Sequence, residues 1–564
     1  MSSATPTSGT STARRLSLAG VLRLRRPSEI WFKPALSSVA AVAPPNLLLL
    51  AFGRLDLAMY TMAGSLCALY AHNRPYAARA RTLAWVVLGM LAGVAAALVT
   101  ASLTRNAVVL VTVGALLAAV QKVLCDATRV GPPGNVVLTF ISSAALFVPQ
   151  TLAQVPAHLA LAAAAGAWAW LVGMAPAPVR PHGPERRATA QALNAAAAYA
   201  AAHGTGAGED HASARAAGYA AVQAAWQTLP ALPSTGARAA TRHALERLVV
   251  RAEVALAAPA DTDPERLRAW AHALRGGGRI PRTGDAPEDT DELLGVDAEL
   301  AARPAPLWQR LGPLTPIAAR TALGCALAGY ASLALGIGRP YWALVTAAAL
   351  YQANVTLTWS RAVQRVVGNL AGVLAFAAIA PLAHLGQALL VLCCLALNFG
   401  AEALITRNYW LGSVCVTPMA LLVTEFAGYQ APGDLMTERT VDTLVGALVG
   451  FLAAVVVTNR RAGNRVEQAV TAADSARERA ARLLAEPDPA PGVLEAARRS
   501  LAAALTDLRA IADGAAGEWW GRALPQERVV LAEQAGHRTL AEAVRRQATR
   551  PDRGVSTRTE DVRP

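Results

Sequence analysis

Lysine is nearly missing from this chain. Lys33 and Lys122 are the only two, and arginine supplies the rest of the 52 basic side chains. That bias fits a GC-rich genome better than a phosphate-binding surface, so the formal charge of +14 does not point to nucleic acid. Charge of either sign is also scarce, at 16% of residues against 54% apolar. Mean hydropathy is +0.33. These values exclude an ordinary globular enzyme and indicate a membrane protein with soluble segments. The six cysteines (Cys67, Cys125, Cys325, Cys393, Cys394, Cys415) include no pair of C-x-x-C motifs. They read as small apolar filler, not as a zinc site or disulfide framework.

Chemistry-bearing motifs are absent too. The nine histidines are scattered, with no pair at metal-ligand spacing on a shared helix. Neither G-x-S-x-G nor a Walker motif occurs. The GTGAG run at 204–208 follows a helix-like stretch with no strand before it, so it is not read as a phosphate loop. No catalytic residue, metal or cofactor is expected, and the chain is not read as an enzyme. The first thirty residues lack a short apolar core with a cleavage site, so the first membrane helix is expected to direct insertion.

What is present is a succession of apolar helices. Residues 1–34 form a basic tail carrying Arg14, Arg15, Arg23, Arg25, Arg26 and Lys33. A first transmembrane block, 35–175, holds apolar segments near 35–52, 55–71, 83–101, 107–124, 135–150 and 155–174. Several are short against the ~17–25 residues a span needs, and Pro44-Pro45 should kink the first. Residues 176–312 turn polar, with helical patterns at 186–202, 212–229, 236–257 and 264–275 and an acidic loop from Asp285 to Glu292. A second block, 313–458, has segments near 316–336, 340–353, 364–381, 386–403, 410–426 and 441–457, and the tail 459–564 is again polar and helical. The predicted fold is all-α: a polytopic membrane protein of two six-helix repeats with helical cytoplasmic domains.

The two blocks share anchors in the same order. Gly53-Arg54 resembles Gly338-Arg339, and Ala68-Leu-Tyr70 matches Ala349-Leu-Tyr351. Gly89-x-x-x-Gly93 matches Gly368-x-x-x-Gly372, and Arg129 stands ten residues before Thr139 as Arg407 does before Thr417. Duplication with an even number of spans makes a parallel repeat. With the N-terminus inside, the inner loops hold Arg74, Arg79, Arg81, Lys122, Arg129, Arg361, Arg365 and Arg407, and the outer ones Arg54, Arg105, Arg339 and Arg439. That bias places both termini and the middle domain in the cytoplasm of an inner-membrane protein.

Gly338 to Gly372 organises the whole: an Arg-Pro-Tyr-Trp start, a small-residue helix, a polar turn, two arginines one turn apart, then GxxxG. Arg320-Thr-Ala-Leu, Arg339-Pro-Tyr-Trp-Ala-Leu-Val-Thr and Arg365-Val-Val-Gly-Asn with Gly372 resemble the second-half signature of the fusaric acid resistance (FUSC) family over Arg320 to Thr417. That family includes aromatic acid exporters and is distantly similar to plant malate channels. Asn369 departs from it, standing where the family often has Thr. The resemblance implies export of small organic, chiefly aromatic, acids. With no nucleotide motif, the energy would come from the proton gradient or the membrane potential.

Polar groups at membrane depth are the candidate site. Arg361, Arg365, Arg407 and Arg129 are candidates for attracting a carboxylate, with plain positive-inside anchoring as the alternative. Tyr351 and Asn398 are further substrate-binding candidates. Glu402 and Asp126 are the proton-coupling candidates. Tyr341, Trp342, Tyr351 and Trp359 could stack on an aromatic ring, but the interfacial belt is the favoured reading. Gly89, Gly93, Gly368 and Gly372 are expected at helix packing contacts. The partners expected are the bilayer and a small organic anion, without nucleic acid; a homo-oligomer is left open. Two alternatives stand beside export: an organic-anion channel, which needs the basic pore but no coupling carboxylate, and a non-transporting scaffold acting through its soluble helices.

Overall fold

The computed structural model describes residues 16, 18–24, 31–202, 209–229, 239–276, 278–282, 311–457, 462–487, 493–516 and 526–548. Arg14, Arg15, Arg25 and Arg26 of the basic tail, the GTGAG run and the acidic stretch 285–292 lie outside the described residues. Among the described residues every regular element is helical.

The first block holds α1 (Phe32–Ala51), α2 (Ala58–Ser65, flanked by 3-10 turns Leu55–Leu57 and Leu66–Leu69), α3 (Tyr76–Leu103), α4 (Ala107–Ala127), α5 (Val136–Leu146) and α6 (Val155–Met174). The middle stretch holds α7 (Gly183–Ala202), α8 (Glu209–Thr228), α9 (Ala239–Ala257) and α10 (Pro264–Arg275). The second block holds α11 (Thr315–Ala334), α12 (Tyr341–Leu350), α13 (Val355–Ala383), α14 (Gln387–Ile405), α15 (Tyr409–Thr424) and α16 (Pro432–Val456). The tail holds α17 (Ala462–Ala485), α18 (Val493–Ala516) and α19 (Gln526–Ala548). The chain divides into two compact units. One is Met1–Val179 with Pro304–Arg461 and Gly514–Ala523; the other is Arg180–Arg303 with Ala462–Asp513 and Leu524–Pro564.

Helix ends follow their local chemistry. Asn106, Asn354 and Asn408 cap α4, α13 and α15, each side-chain oxygen accepting from a backbone N–H of the first turn. Helices α1 and α11 end alike, in left-handed Gly53 (φ 65) and Gly336 (φ 71). Gly53 N bonds Leu50 O and Arg54 N bonds Leu49 O, while Gly336 N bonds Leu333 O and Ile337 N bonds Ser332 O. Both are the same glycine-terminated stop. By that geometry the partner of Gly53 is Gly336, not Gly338 as the Gly-Arg match suggested.

Nine helices among the described residues are long and apolar enough to cross a membrane, and the chain is a multi-pass membrane protein. All twelve apolar segments of the two blocks are helical, but three are not full spans: Leu55–Leu69, Val136–Leu146 and Tyr341–Leu350. Ten helical residues rise only about 15 Å, half of a ~30 Å hydrocarbon layer. After α12 the chain continues through non-helical Tyr351–Asn354 before α13 begins, and irregular backbone at such depth is tolerated where protein covers it. All ten residues of α12 are buried.

The two blocks pack by the same rules. Helix α3 lies against α5 and α6, as α13 lies against α15 and α16; α2 packs on α6, as α12 packs on α16. These short helices are held by close backbone approach. A Cβ on Gly64 of α2 would fall within 2.8 Å of backbone atoms in α6, and one on Gly446 of α16 would sit 2.4 Å from Ala343 O of α12. Each block lends its first helix to the other: α1 packs on α14 and α11 on α4. Asn398 Nδ2 donates to Ser38 Oγ at 2.8 Å in one contact, and Thr112 and Tyr330 hydroxyls meet at 2.7 Å in the other.

In the second unit α7 packs on α8, α9 and α10, and α19 packs on α9 and α17. Its apolar faces recur at helical spacing: Leu245, Leu248, Val249 and Ala252 of α9 are fully buried. Trp226 Nε1 donates to Glu253 at 2.8 Å, and Arg498 pairs with the same carboxylate at 2.7 Å. The rings of Tyr219 and His537 stack 4.6 Å apart.

Candidate functional site

A cavity of about 520 Å3 lies within the membrane unit, between α2 and α5 of the first block and α12 to α16 of the second. Its wall is largely apolar, with Met59, Met62, Phe140, Phe147, Met419 and Phe426 among the lining residues. Asp56, Arg339 and Glu438 line it near the starts of α2, α12 and α16; Pro133, Ile405 and Tyr409 line it where α5 begins, α14 ends and α15 begins. The walls thus reach from helix ends on one side of the bundle toward helix ends on the other.

Charged side chains break this apolar surface at a few points. Arg339 pairs with Glu438 and also donates to Gln430. Arg365 is 4% exposed, and its Nη1 donates to the Tyr409 hydroxyl at 2.9 Å while its Nε has no hydrogen-bond partner. Arg439 is 1% exposed; its guanidinium lies 5.3 Å from the Trp342 ring centre, and its Nε and Nη1 have no hydrogen-bond partner. Asn369 Nδ2 donates to Thr443 at 3.0 Å, which sets these two residues of the antiparallel α13 and α16 level, and Thr417 of α15 donates to Asn369 at 2.8 Å. Arg365 is one turn before Asn369 and Arg439 one turn before Thr443, so their Cα atoms are offset by roughly 12 Å along the helix axes.

The structure gathers some of the residues expected from sequence and disperses others. Arg365, Asn398 and Glu402 line the cavity. Arg361 does not; it lies over the Tyr409 ring at 3.9 Å and braces the side chain that bonds Arg365. Arg407 lies just past α14, outside the lining, with its Nε unpartnered. Arg129 is exposed in a left-handed turn (φ 50) ending α4, where its carbonyl accepts from Arg74 at 2.7 Å. Asp126 pairs with Lys122 at 3.0 Å one turn away, also off the cavity. Tyr351 is buried behind the wall, donating to Gly450 O at 3.1 Å. None of Arg129, Asp126 and Tyr351 lines the cavity, so the structure does not bring them together with Arg365, Asn398 and Glu402.

Of the packing glycines, Gly89 is corrected. It is exposed, and a Cβ there would meet nothing within 4 Å. Gly93 faces Gln121 and Ser142, Gly368 faces Ser413 and Trp410 O, and Gly372 faces Thr417, each at 2.6 to 2.7 Å. Trp342 is not a belt residue: it is fully buried between Arg339 and Arg439.

Sequence reasoning missed Arg439, Tyr409 and the Ser332–Asp442 hydrogen bond of 2.6 Å. Arg439 was placed in an outer loop because the apolar run starts at 441, yet α16 begins at Pro432. Proline in the first turn with Asp434 close behind is a helix-start signal that would have brought Glu438, Arg439 and Asp442 onto one helix. At the end of the bundle near Tyr409, the N-terminal segment is tied down. Gln364 and Asn408 donate to Val21 O, and Trp410 Nε1 donates to Leu22 O.

Residues 326–453 match the family model described as "Fusaric acid resistance protein-like". That stretch runs from α11 into α16 and supplies Arg365, Asn398, Glu402, Tyr409 and Arg439 of the cavity. The chain is 34% identical over 141 residues to the "Uncharacterized membrane protein YvaC" of Bacillus subtilis (strain 168). The matched stretch is 25% of this chain and spans only 22% of the length of that relative. No solved structure matches.

Proposed function

We propose that this membrane protein is a transporter of small organic anions, carboxylates with an apolar or aromatic body, and that the cavity is their path. The observation that carries the reading is the pair of buried guanidiniums, Arg365 and Arg439, in a largely apolar cavity of about 520 Å3. A buried charge with unused donors costs several kcal/mol unless an anion neutralises it. A carboxylate suits a guanidinium through its paired oxygens, while the methionines and aromatic rings suit an apolar body. Similarity to the FUSC model supports the transporter class. The direction is export across the inner membrane, both termini inside, energised by the proton gradient or the membrane potential. The reciprocal packing of α1 on α14 and α11 on α4 supports two repeats around the shared path.

The test is a panel of organic acids applied to a strain lacking the protein, followed by efflux from vesicles for each acid that inhibits growth. Resistance restored by wild type but not by Arg365→Gln or Arg439→Gln, at equal membrane levels, is expected. Full rescue by both variants would remove the cavity from the mechanism and favour a scaffold. The reach of the cavity toward helix ends on both sides also suits an anion channel; a current that persists without any proton gradient would favour that reading.

A further inference from the structure

Two side chains on one face of α16 keep unused hydrogen-bonding capacity. Arg439 lines the cavity with Nε and Nη1 unpartnered. Asp442, three residues on and so on the same face, is fully buried; its Oδ1 accepts from Ser332 of α11 at 2.6 Å while its Oδ2 has no partner. The charged and titratable groups acting on Asp442 are Arg439 and Glu438 of its own helix and Arg339 at the start of α12. Those acting on Arg439 are Asp442, Arg365 of α13, Tyr341 of α12 and Tyr409 of α15. Glu438 and Arg339 are committed to each other and Asp434 is exposed, which leaves Asp442 as the buried carboxylate of α16 with an oxygen to spare.

We propose that Asp442 is a proton-binding group whose charge sets how tightly Arg439 holds an anion. The proposal rests on the anion reading of the cavity and adds its coupling to protons. With Asp442 ionised, its charge one turn away offsets part of the Arg439 charge without a direct bond, and an arriving carboxylate is a second negative charge beside the first. Two carboxylates in a poorly hydrated site do not both ionise readily. A proton taken from water onto Oδ2 removes the competing charge, leaves the Ser332 bond to Oδ1 intact and frees the Arg439 field for the anion. Each anion then binds with one proton, and release of the anion returns that proton to water. By linkage the effect is reciprocal: the anion raises proton affinity as much as the proton raises anion affinity. Asp442 acts through Arg439 and is a positioning residue, not a contact for the anion.

The test is calorimetric binding of benzoate to the full-length protein in detergent, from about pH 5.5 to about pH 8.5, where benzoate stays ionised. Wild-type affinity should fall as pH rises, approaching tenfold per unit once Asp442 ionises. Asp442→Asn keeps the shape and the Ser332 contact but cannot ionise, so its affinity should stay flat across the range. Ser332→Ala removes the bond that favours the ionised form and should move the decline to higher pH; it carries the test if Asp442→Asn fails to fold. Glu402 lines the cavity and is the rival proton site; Glu402→Gln alters the affinity but should leave the decline with pH in place. A wild-type slope in Asp442→Asn, or its loss in Glu402→Gln, would overturn the proposal and leave the anion site standing. No benzoate binding by wild type at any pH would take down the anion reading and this proposal together.

Discussion

Replacing Gly368 with alanine is a small change with a calculable consequence. The added Cβ would lie 2.6 Å from Ser413 Cβ and 2.6 Å from Trp410 O. The second contact is backbone in the first turn of α15 and cannot swing aside. To restore ordinary contact at 3.4 Å, α13 and α15 must part by roughly 0.8 Å, and overpacking of this kind costs ~1–3 kcal/mol. The same shift would stretch the 2.9 Å bond from Arg365 to Tyr409 beyond hydrogen-bond range, so transport should fall along with stability. Gly89→Ala is the internal control, because it makes the same glycine-to-alanine change at the matching position of the first block, where nothing lies within 4 Å. Both variants gain about 1 kcal/mol of helix propensity, so their difference isolates packing. Thermal stability of the detergent-solubilised proteins should place Gly368→Ala clearly below Gly89→Ala, with Gly89→Ala at or above wild type. Equal melting, or the reverse order, would refute the contact between α13 and α15.

Four further outcomes are expected. Arg365→Lys keeps the charge but loses the planar fork, so it should insert normally and export poorly, whereas Arg407→Lys, off the cavity, should export normally; wild-type transport by Arg365→Lys, normalised to inserted protein, would refute the clamp. Arg129→Gly relieves a left-handed backbone and should stabilise the protein by ~1 kcal/mol without altering transport. Burial, aided by the Arg215 charge, pushes His537 down from 6.5 to about 4; the unfolded chain therefore binds that proton more readily, and stability present above pH 6.5 should be lost as pH falls toward 4. His537→Phe, which keeps a ring against Tyr219, should flatten that window in melting curves. Cysteines placed near Arg105 and Gln430 should label from outside intact cells and ones near Arg79 should not; the reverse pattern would invert the proposed topology.

Helix positions were largely legible because they rest on local signals. The polar face of α10 and the apolar runs of α4 and α14 mark themselves within a few residues of their ends, whereas α3 begins at Tyr76, seven residues before its apolar run. Span count was less legible, since hydropathy does not register where backbone stops being helical. Residues 340–353 read as one apolar run, yet α12 ends at Leu350 and Tyr351–Gln352 continue without helix. The GxxxG match failed at Gly89 for a different reason. The motif reports spacing along one helix, while a contact needs a second helix on that face, and α3 turns Gly89 away from its neighbours. Repeat logic likewise paired Arg129 with Arg407, but a left-handed cap carries Arg129 into the open. Arg439 and Asp442 escaped because charge in the sequence looked like the edge of a span. Hydropathy alone hides that the helix begins two turns earlier, at the start that Pro432 and Asp434 mark.

The exchange of first helices sets a timetable for assembly. Helix α1 emerges at the start of synthesis, but its partner α14 begins at Gln387, roughly 340 residues later. At ~5–20 residues per second, α1 waits on the order of half a minute with Ser38, which accepts from Asn398 of α14, facing lipid or a provisional neighbour. Helix α11 has no such delay, since α4 is already in the bilayer when it arrives. The first block therefore completes only part of the α1 packing by itself, against α2 and α6, and a chain halted after α6 would leave the Ser38 side of α1 without its Asn398 partner. That makes the interval before α14 appears the period in which membrane quality control would most readily remove the protein.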